Sequence, residues 1–139
     1  MPTPCVCTTV RKANRALFRF YENALAESEL SVVQFAILRS LERNGATPLS
    51  RLAEDQVMER TSLYRTLAPL IDRGAVTLAA AERGRAKIAR LTPAGERLSK
   101  EVLPCWDKAQ RTAGKKIGAD QWRSLSAVLL SIPDLLAET

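Results

Sequence analysis

The sequence predicts a mainly α-helical domain that contains one small β-hairpin. Apolar residues recur every three or four positions along most of the 139-residue chain, which is the spacing of amphipathic helices. This spacing changes to strict alternation only around residues 75–91. The length suits one compact domain, and the sequence contains no repeat or long linker that would divide it.

Two helices are predicted in the first third of the chain. The first spans about residues 8–26, with Thr8 or Thr9 as its N-cap. The second begins at Ser31, and Gln34 follows three residues later. This spacing is typical of a capping box, in which each of the two side chains bonds to the backbone N–H of the other.

A short helix and a longer one follow. The short helix spans residues 48–54 and is capped by Thr47. The longer helix spans residues 59–73, and Pro69 inside it predicts a bend or a restart of the last turn, because proline removes a helical hydrogen bond. Its apolar stripe consists of Leu63, Leu67, Leu70 and Ile71.

A β-hairpin is predicted next. Apolar residues alternate over residues 75–80, and residues 86–91 form the returning strand. The turn between the strands carries Arg83, Gly84 and Arg85, so the tip of the hairpin is basic.

Two further helices complete the chain. The first spans about residues 93–116, is capped by Thr92 and is expected to bend near Pro104. The second spans residues 119–138 and has more apolar surface than a monomer needs at its terminus, at Leu125, Leu129, Ile132, Leu135 and Leu136. We therefore expect a second copy of the chain to cover it.

Charge and residue usage narrow the function classes. Lys and Arg total 21 against 15 acidic residues, and the net charge of +6 suits a polyanionic partner such as nucleic acid. The chain lacks histidine, the commonest general base, so we expect neither an enzyme nor a metal site or cofactor. Three cysteines without a signal peptide or membrane span favour a cytoplasmic protein.

Two short helices followed by a basic hairpin form the pattern of a winged helix-turn-helix. A helix matches the width of the DNA major groove, where Arg60 and Arg65 can reach guanine or phosphate. Thr61 and Ser62 can bind phosphate at the helix N-terminus, and the hairpin can enter the minor groove. The predicted contacts to double-stranded DNA are Arg51, Arg60, Thr61, Ser62, Tyr64, Arg65, Arg83, Arg85 and Lys87.

Five sequence blocks resemble, in order, successive blocks of the MarR family of transcriptional regulators. They are residues 31–38, 49–54, 60–67, 74–76 and 91–95. The resemblance implies a winged helix-turn-helix domain over 31–92 and a dimerisation region formed by 1–30 and 93–139. It also implies a homodimeric repressor, whose two-fold symmetry predicts a palindromic operator of about 16–20 base pairs.

The wing departs from the family pattern. The family usually has Asp-x-Arg eight and six residues before the leucine of Leu-Thr, and these positions hold Arg83 and Arg85. Glu82 is the neighbouring residue that can supply the missing carboxylate. An alternative function for the same fold is a winged-helix module that binds another protein and no DNA.

The resemblance also implies a signal that changes the spacing of the two winged domains, and two kinds are open. The first is oxidation of a thiol at Cys5, Cys7 or Cys105. A helix N-terminus and the nearby Arg11 and Lys12 lower the pKa of a thiol, although a Cys-x-Cys pair can also bind a soft metal or be inert.

The second kind of signal is a small aromatic or anionic effector. Its candidate pocket combines cationic and aromatic side chains, namely Arg15, Arg19, Tyr21, Phe35 and Trp106. The same residues are also compatible with ordinary core and surface packing, and the sequence does not choose between the two signals.

Overall fold

The computed structural model describes residues 2–81, 83–84 and 86–137. Within them the chain forms six α-helices and one three-stranded antiparallel sheet, which confirms the predicted fold class. The elements are α1 (Val6–Leu25), α2 (Val32–Asn44), β1 (Thr47–Pro48), α3 (Leu49–Asp55), α4 (Arg60–Asp72), β2 (Val76–Ala80), β3 (Lys87–Leu91), α5 (Pro93–Ile117) and α6 (Ala119–Leu135). A short 3₁₀ turn, Ala26–Ser28, joins α1 to α2.

Two helices begin at the side chains that local chemistry predicts. Before α2, Ser31 Oγ accepts a hydrogen bond from Gln34 N–H (3.1 Å), and Gln34 Oε1 accepts one from Ser31 N–H (2.9 Å). Before α5, Thr92 Oγ1 accepts a hydrogen bond from Gly95 N–H (3.0 Å). The capping box and the threonine cap are therefore confirmed.

The predicted start of α1 was wrong. The helix begins at Val6, and Thr8 and Thr9 lie inside its first turn. The reason is that the Cys5 carbonyl already accepts a hydrogen bond from Thr9 N–H (2.9 Å), so the first helical turn closes without a threonine cap.

The predicted cap of α3 was also wrong. Thr47 is buried, and its hydroxyl donates to the Gly45 carbonyl. Thr47 and Pro48 form β1, whose register places them opposite Ala89 and Ile88 of β3. The sheet therefore has the order β1-β3-β2. Thr47 and Pro48, which were expected to cap and begin α3, pair with β3 instead.

Helix α4 packs one face into the core. Leu63, Leu67 and Leu70 are fully buried, whereas Ile71 is 36% exposed, so its assignment to the buried stripe was wrong. Ile71 lies about 100° around the helix from Leu70, which places it at the edge of the packed face. The helix is continuous through Pro69, and the restart that was one expectation does not occur.

The hydrophobic core lies around α2. Phe35, Ile37, Leu38 and Leu41 of this helix are buried, and the core includes buried residues of α3, α4, β2, β3 and α5. Because α2 contacts α4 and α5 as well as α1, it connects the helix-turn-helix with the long helices.

Helix α6 is mostly exposed and, in the part of the chain that is described, has no buried residue, although Leu129 and Ile132 are half-buried. It ends at Leu135, three residues before the predicted end at Glu138, which lies outside the described residues. Its exposed apolar side chains include Trp122, Leu125, Val128, Leu130 and Leu135. Among the helices of the described chain, none combines the length and the apolar character needed to span a membrane.

Candidate nucleic-acid interface

The first two turns of α4 present a polar surface opposite the core. While Leu63, Leu67 and Leu70 face inward, the side chains that face solvent are Arg60, Thr61, Ser62, Tyr64 and Arg65. Thr61 and Arg65 are four residues apart and therefore share one side of the helix. We refer to α4 as the recognition helix.

The N-terminus of the recognition helix has backbone N–H groups that lie outside the helical hydrogen-bond pattern. The first helical hydrogen bond runs from Leu63 N–H to the Glu59 carbonyl (2.9 Å). The N–H groups of Arg60, Thr61 and Ser62 precede it and project from the helix end, where the helix dipole favours an anion. This geometry suits a phosphate oxygen.

The wing, formed by β2, β3 and the turn between them, lies close to the recognition helix. Lys87 begins β3, and its Nζ lies 5.6 Å from the centre of the Tyr64 ring. Such a cation–π contact joins the end of β3 that lies next to the tip of the wing to α4. Arg83 is exposed in the turn beside Gly84, whose φ of 92° is a conformation that suits glycine.

Two residues of the predicted wing lie outside the described residues. They are Arg85, a predicted DNA contact, and Glu82, the predicted source of the missing carboxylate. Their roles therefore stay predictions. Arg51, the remaining member of the predicted set, is exposed on α3.

An aromatic cluster joins α1, α2 and α5. The Trp106 ring lies between Tyr21 and Phe35, with centroid distances of 4.5 Å and 5.2 Å. Phe35 is buried, and the Tyr21 hydroxyl donates to Gln110 Oε1. Partial burial raises the pKa of Tyr21 above its ordinary value, because desolvation disfavours the phenolate.

A cavity of about 280 Å³ lies beside this cluster. Phe35 and Trp106 line it together with two cations of α2, Arg39 and Arg43, and with one acidic side chain of α5, Asp107. The sequence reasoning missed these arginines, although residues 35, 39 and 43 follow each other at the helical spacing of four and therefore share a face of α2.

The two arginines that were predicted for the pocket lie elsewhere. Arg15 and Arg19 are exposed on α1 and are not among the residues that line this cavity. The structure therefore brings together three of the five predicted pocket residues, Tyr21, Phe35 and Trp106.

The three cysteines are free and exposed. At Cys5, hydrogen bonds from the backbone N–H and the hydroxyl of Thr8 lower the pKa of the thiol from its ordinary value. Because Thr8 lies in the first turn of α1, the expected effect of the helix N-terminus is found at Cys5, whereas the charges of Arg11 and Lys12 are not among the causes.

Cys105 lies away from the other two thiols. It lines a groove with Phe20 and Glu27 near the C-terminal end of α1, whereas Cys5 precedes the N-terminal end of that helix. At 1.5 Å per residue, Cys5 and Cys105 are separated by more than about 20 Å, too far for a disulfide within one subunit. The described residues contain no group of three side chains suited to hold a metal ion.

The α3–α4 pair followed by a β-hairpin defines the chain as a winged helix-turn-helix protein. No family model and no curated protein sequence matches the chain. Among solved structures it is similar to the M. tuberculosis transcriptional regulator MosR in complex with DNA, with 27% identity, a TM-score of 0.80, and coverage of 96% of this chain and 100% of MosR.

Two further solved structures show the same fold. BpsR of Bordetella bronchiseptica, whose DNA binding is regulated by 6-hydroxynicotinic acid, has 18% identity and a TM-score of 0.83 over 92% of this chain and 98% of its own. The oxidised form of MarR from E. coli has 18% identity and a TM-score of 0.77 over 94% and 96%. These structural neighbours are MarR-family transcriptional regulators, not enzymes.

Proposed function

We propose that the protein is a cytoplasmic homodimeric repressor that binds a palindromic operator of about 16–20 base pairs and is released by a small-molecule or oxidative signal. The observation that carries this proposal is the exposed polar surface of the recognition helix. Lys87 of the wing contacts this surface at the Tyr64 ring. The similarity to MosR, which was solved in complex with DNA, supports the same conclusion.

The residue types divide naturally between base and phosphate contacts. Arg60 and Arg65 carry guanidinium groups that fit the O6 and N7 acceptors of guanine in the major groove. Thr61 and Ser62, with the free N–H groups of the first turn, suit a backbone phosphate. Arg83 at the tip of the wing suits the minor groove.

We propose that residues 1–30 and 93–139 form the dimerisation region and that residues 31–92 form the DNA-binding domain. The exposed apolar side chains of α6 support this division, since surface of this kind is ordinarily covered by a partner. A second copy of the chain then places two recognition helices in half-sites about 34 Å apart.

Footprinting of the purified protein on genomic DNA tests the proposal. Protected sites are expected to show two-fold symmetry, and Arg65→Ala is expected to lower the affinity for such a site by about 5- to 150-fold. Arg97→Ala is the matched control, because Arg97 is an exposed arginine of α5, outside the recognition helix. Binding that ignores both salt and sequence would instead favour the protein-binding module.

Sedimentation velocity tests the dimer. The double variant Leu125→Glu, Val128→Glu places two charges on a shallow apolar depression of α6 that both side chains line. We expect the variant to sediment as a folded monomer and to lose most of its operator affinity. A variant that stays dimeric would place the interface elsewhere.

We propose a small aromatic anion as one releasing signal, bound in the cavity lined by Phe35, Trp106, Arg39 and Arg43. Aromatic faces and guanidinium groups together suit an aromatic carboxylate, and BpsR responds to 6-hydroxynicotinic acid. Hydroxylated benzoates are expected to quench Trp106 fluorescence and to weaken operator binding. Arg43→Gln is expected to reduce both effects, and unchanged responses would exclude this cavity.

The other releasing signal that we propose is oxidation at Cys5 or Cys7. Support comes from the exposure of both thiols and from the lowered pKa of Cys5, since the thiolate is the form that oxidants attack. Hydrogen peroxide is expected to release the operator from the wild type and to have less effect on Cys5→Ser. Release that is equal in the two proteins would remove Cys5 from the account.

A further inference from the structure

The side chain of Gln34 joins the start of α2 to the recognition helix. Its Oε1 accepts the hydrogen bond from Ser31 N–H (2.9 Å) that completes the capping box. Its Nε2 donates to the backbone carbonyl of Thr66 (3.3 Å), in the middle of α4. One amide group therefore caps one helix and holds another.

The chemistry of the two partners fixes the orientation of this amide. Ser31 offers an N–H donor, and Thr66 offers a carbonyl acceptor. A flipped amide would place its NH₂ against the N–H of Ser31 and its oxygen against the Thr66 carbonyl, so both contacts would become repulsive.

The capping box alone does not require glutamine. Glutamate serves equally well at this position, because only an acceptor for the N-cap N–H is needed. The Thr66 carbonyl, in contrast, requires a donor, and a carboxylate there would place a negative charge against a carbonyl oxygen. The second hydrogen bond of Gln34 is therefore the one that distinguishes glutamine from glutamate.

Thr66 lies next to a residue of the recognition helix whose carbonyl receives no helical hydrogen bond. Pro69 has no N–H, so the helix supplies no hydrogen bond to the carbonyl of Arg65, the residue just before Thr66. The hydrogen bond from Gln34 acts one residue away from this gap. An external bond at this point restricts movement of the helix more than it would in a fully bonded segment.

The same end of α2 is also held from α1. Glu22 Oε1 of α1 accepts a hydrogen bond from Val32 N–H (3.0 Å), the first residue of α2. The structure thus contains a hydrogen-bonded connection from α1, through the first turn of α2, to the recognition helix.

We propose that Gln34 is a positioning residue, which sets the pose of the recognition helix against α2 and so determines how well α4 discriminates its operator from other DNA. The inference rests on the proposed function. It adds that specificity depends on a side chain that does not face the duplex.

The experiment compares Gln34→Glu with the wild type. Glutamate keeps the acceptor for Ser31 N–H but removes the donor to Thr66. The readout is the ratio of the affinities for the footprinted operator and for a random duplex of equal length, since the added charge weakens both affinities alike. The ratio is expected to fall about three- to tenfold, as for the loss of one hydrogen bond, and the Tm is expected to fall as well, because the same bond is present in the free protein.

Ser31→Ala is the matched control, because it removes the other half of the capping box and leaves the amide of Gln34 in place. It is expected to lower the Tm and to preserve the ratio. Gln34→Lys provides a second variant with the opposite chemistry, since an ammonium donates to Thr66 but cannot accept from Ser31. It is expected to lower the Tm and to keep most of the ratio.

The outcomes separate the two proposals. A wild type that shows no preference for the operator overturns the proposed function, and the inference falls with it. A wild type that discriminates, together with a Gln34→Glu variant that keeps the full ratio, overturns the inference alone. If Gln34→Glu does not fold, a Gln34→Lys variant that loses the preference for the operator over a random duplex also overturns the inference alone.

Discussion

The contact between Lys87 and Tyr64 predicts that the wing and the recognition helix are energetically coupled in the free protein. The perturbation is a double-mutant cycle with Tyr64→Leu, Lys87→Met and the double variant. The Nζ lies 5.6 Å from the ring centre, and Tyr64 is 39% exposed, so water partly screens the contact. Contacts of this kind at exposed sites contribute about 0.5–1 kcal/mol, and we expect this coupling energy in the cycle.

Urea unfolding of the four proteins measures the coupling. Tyr64→Phe keeps the ring and is expected to preserve most of the coupling energy. A second cycle that combines Tyr64→Leu with Arg90→Met is the control, since Arg90 is an exposed residue of the same strand β3. If the effects of Tyr64→Leu and Lys87→Met add to within about 0.3 kcal/mol, the two elements are independent and our reasoning about the wing is refuted.

Three further predictions concern the core, the glycines and a thiol. Leu67→Ala empties a fully buried site of α4 and is expected to cost about 2–5 kcal/mol in urea unfolding; a cost below about 1 kcal/mol would contradict the packing. Gly95→Ala is expected to lower the Tm, because the new Cβ meets a backbone carbonyl next to β2. Gly114→Ala is expected to raise the Tm, because its Cβ meets no atom of the described chain within 4 Å and alanine favours a helix more than glycine does. Alkylation of Cys5, resolved by mass spectrometry, is expected to reach its half-maximal rate at a lower pH than for a free cysteine, because the thiolate reacts and hydrogen bonds lower the pKa of this thiol. Thr8→Val is expected to move this midpoint to a higher pH. A midpoint that stays unchanged would assign no role to the Thr8 hydroxyl.

The sequence predicts those parts of the fold that depend on neighbouring residues. The capping box of Ser31 and Gln34 and the cap at Thr92 involve side chains within three residues of each other, and both are found. Strand β1 was missed because its partners, Ile88 and Ala89, are about 40 residues further along the chain. Local propensity gives no signal for such a pairing.

The candidate site shows the same division. The spacing of α4 predicts which of its side chains face solvent, because the periodicity of a helix fixes the angle between them. The contact of Lys87 with Tyr64 depends on how the hairpin folds back over α4, and the hydrogen bond from Gln34 to Thr66 depends on how two helices cross. Neither can be derived from spacing along the chain.

The salt dependence of operator binding tests the central claim most directly. If cationic side chains of two copies neutralise about 6–10 phosphates, the logarithm of the binding constant falls against the logarithm of salt concentration with a slope of about −5 to −9. Arg83→Ala is expected to reduce the magnitude of this slope by about one for each subunit. A slope near zero for a duplex that remains bound would show that these side chains do not face DNA.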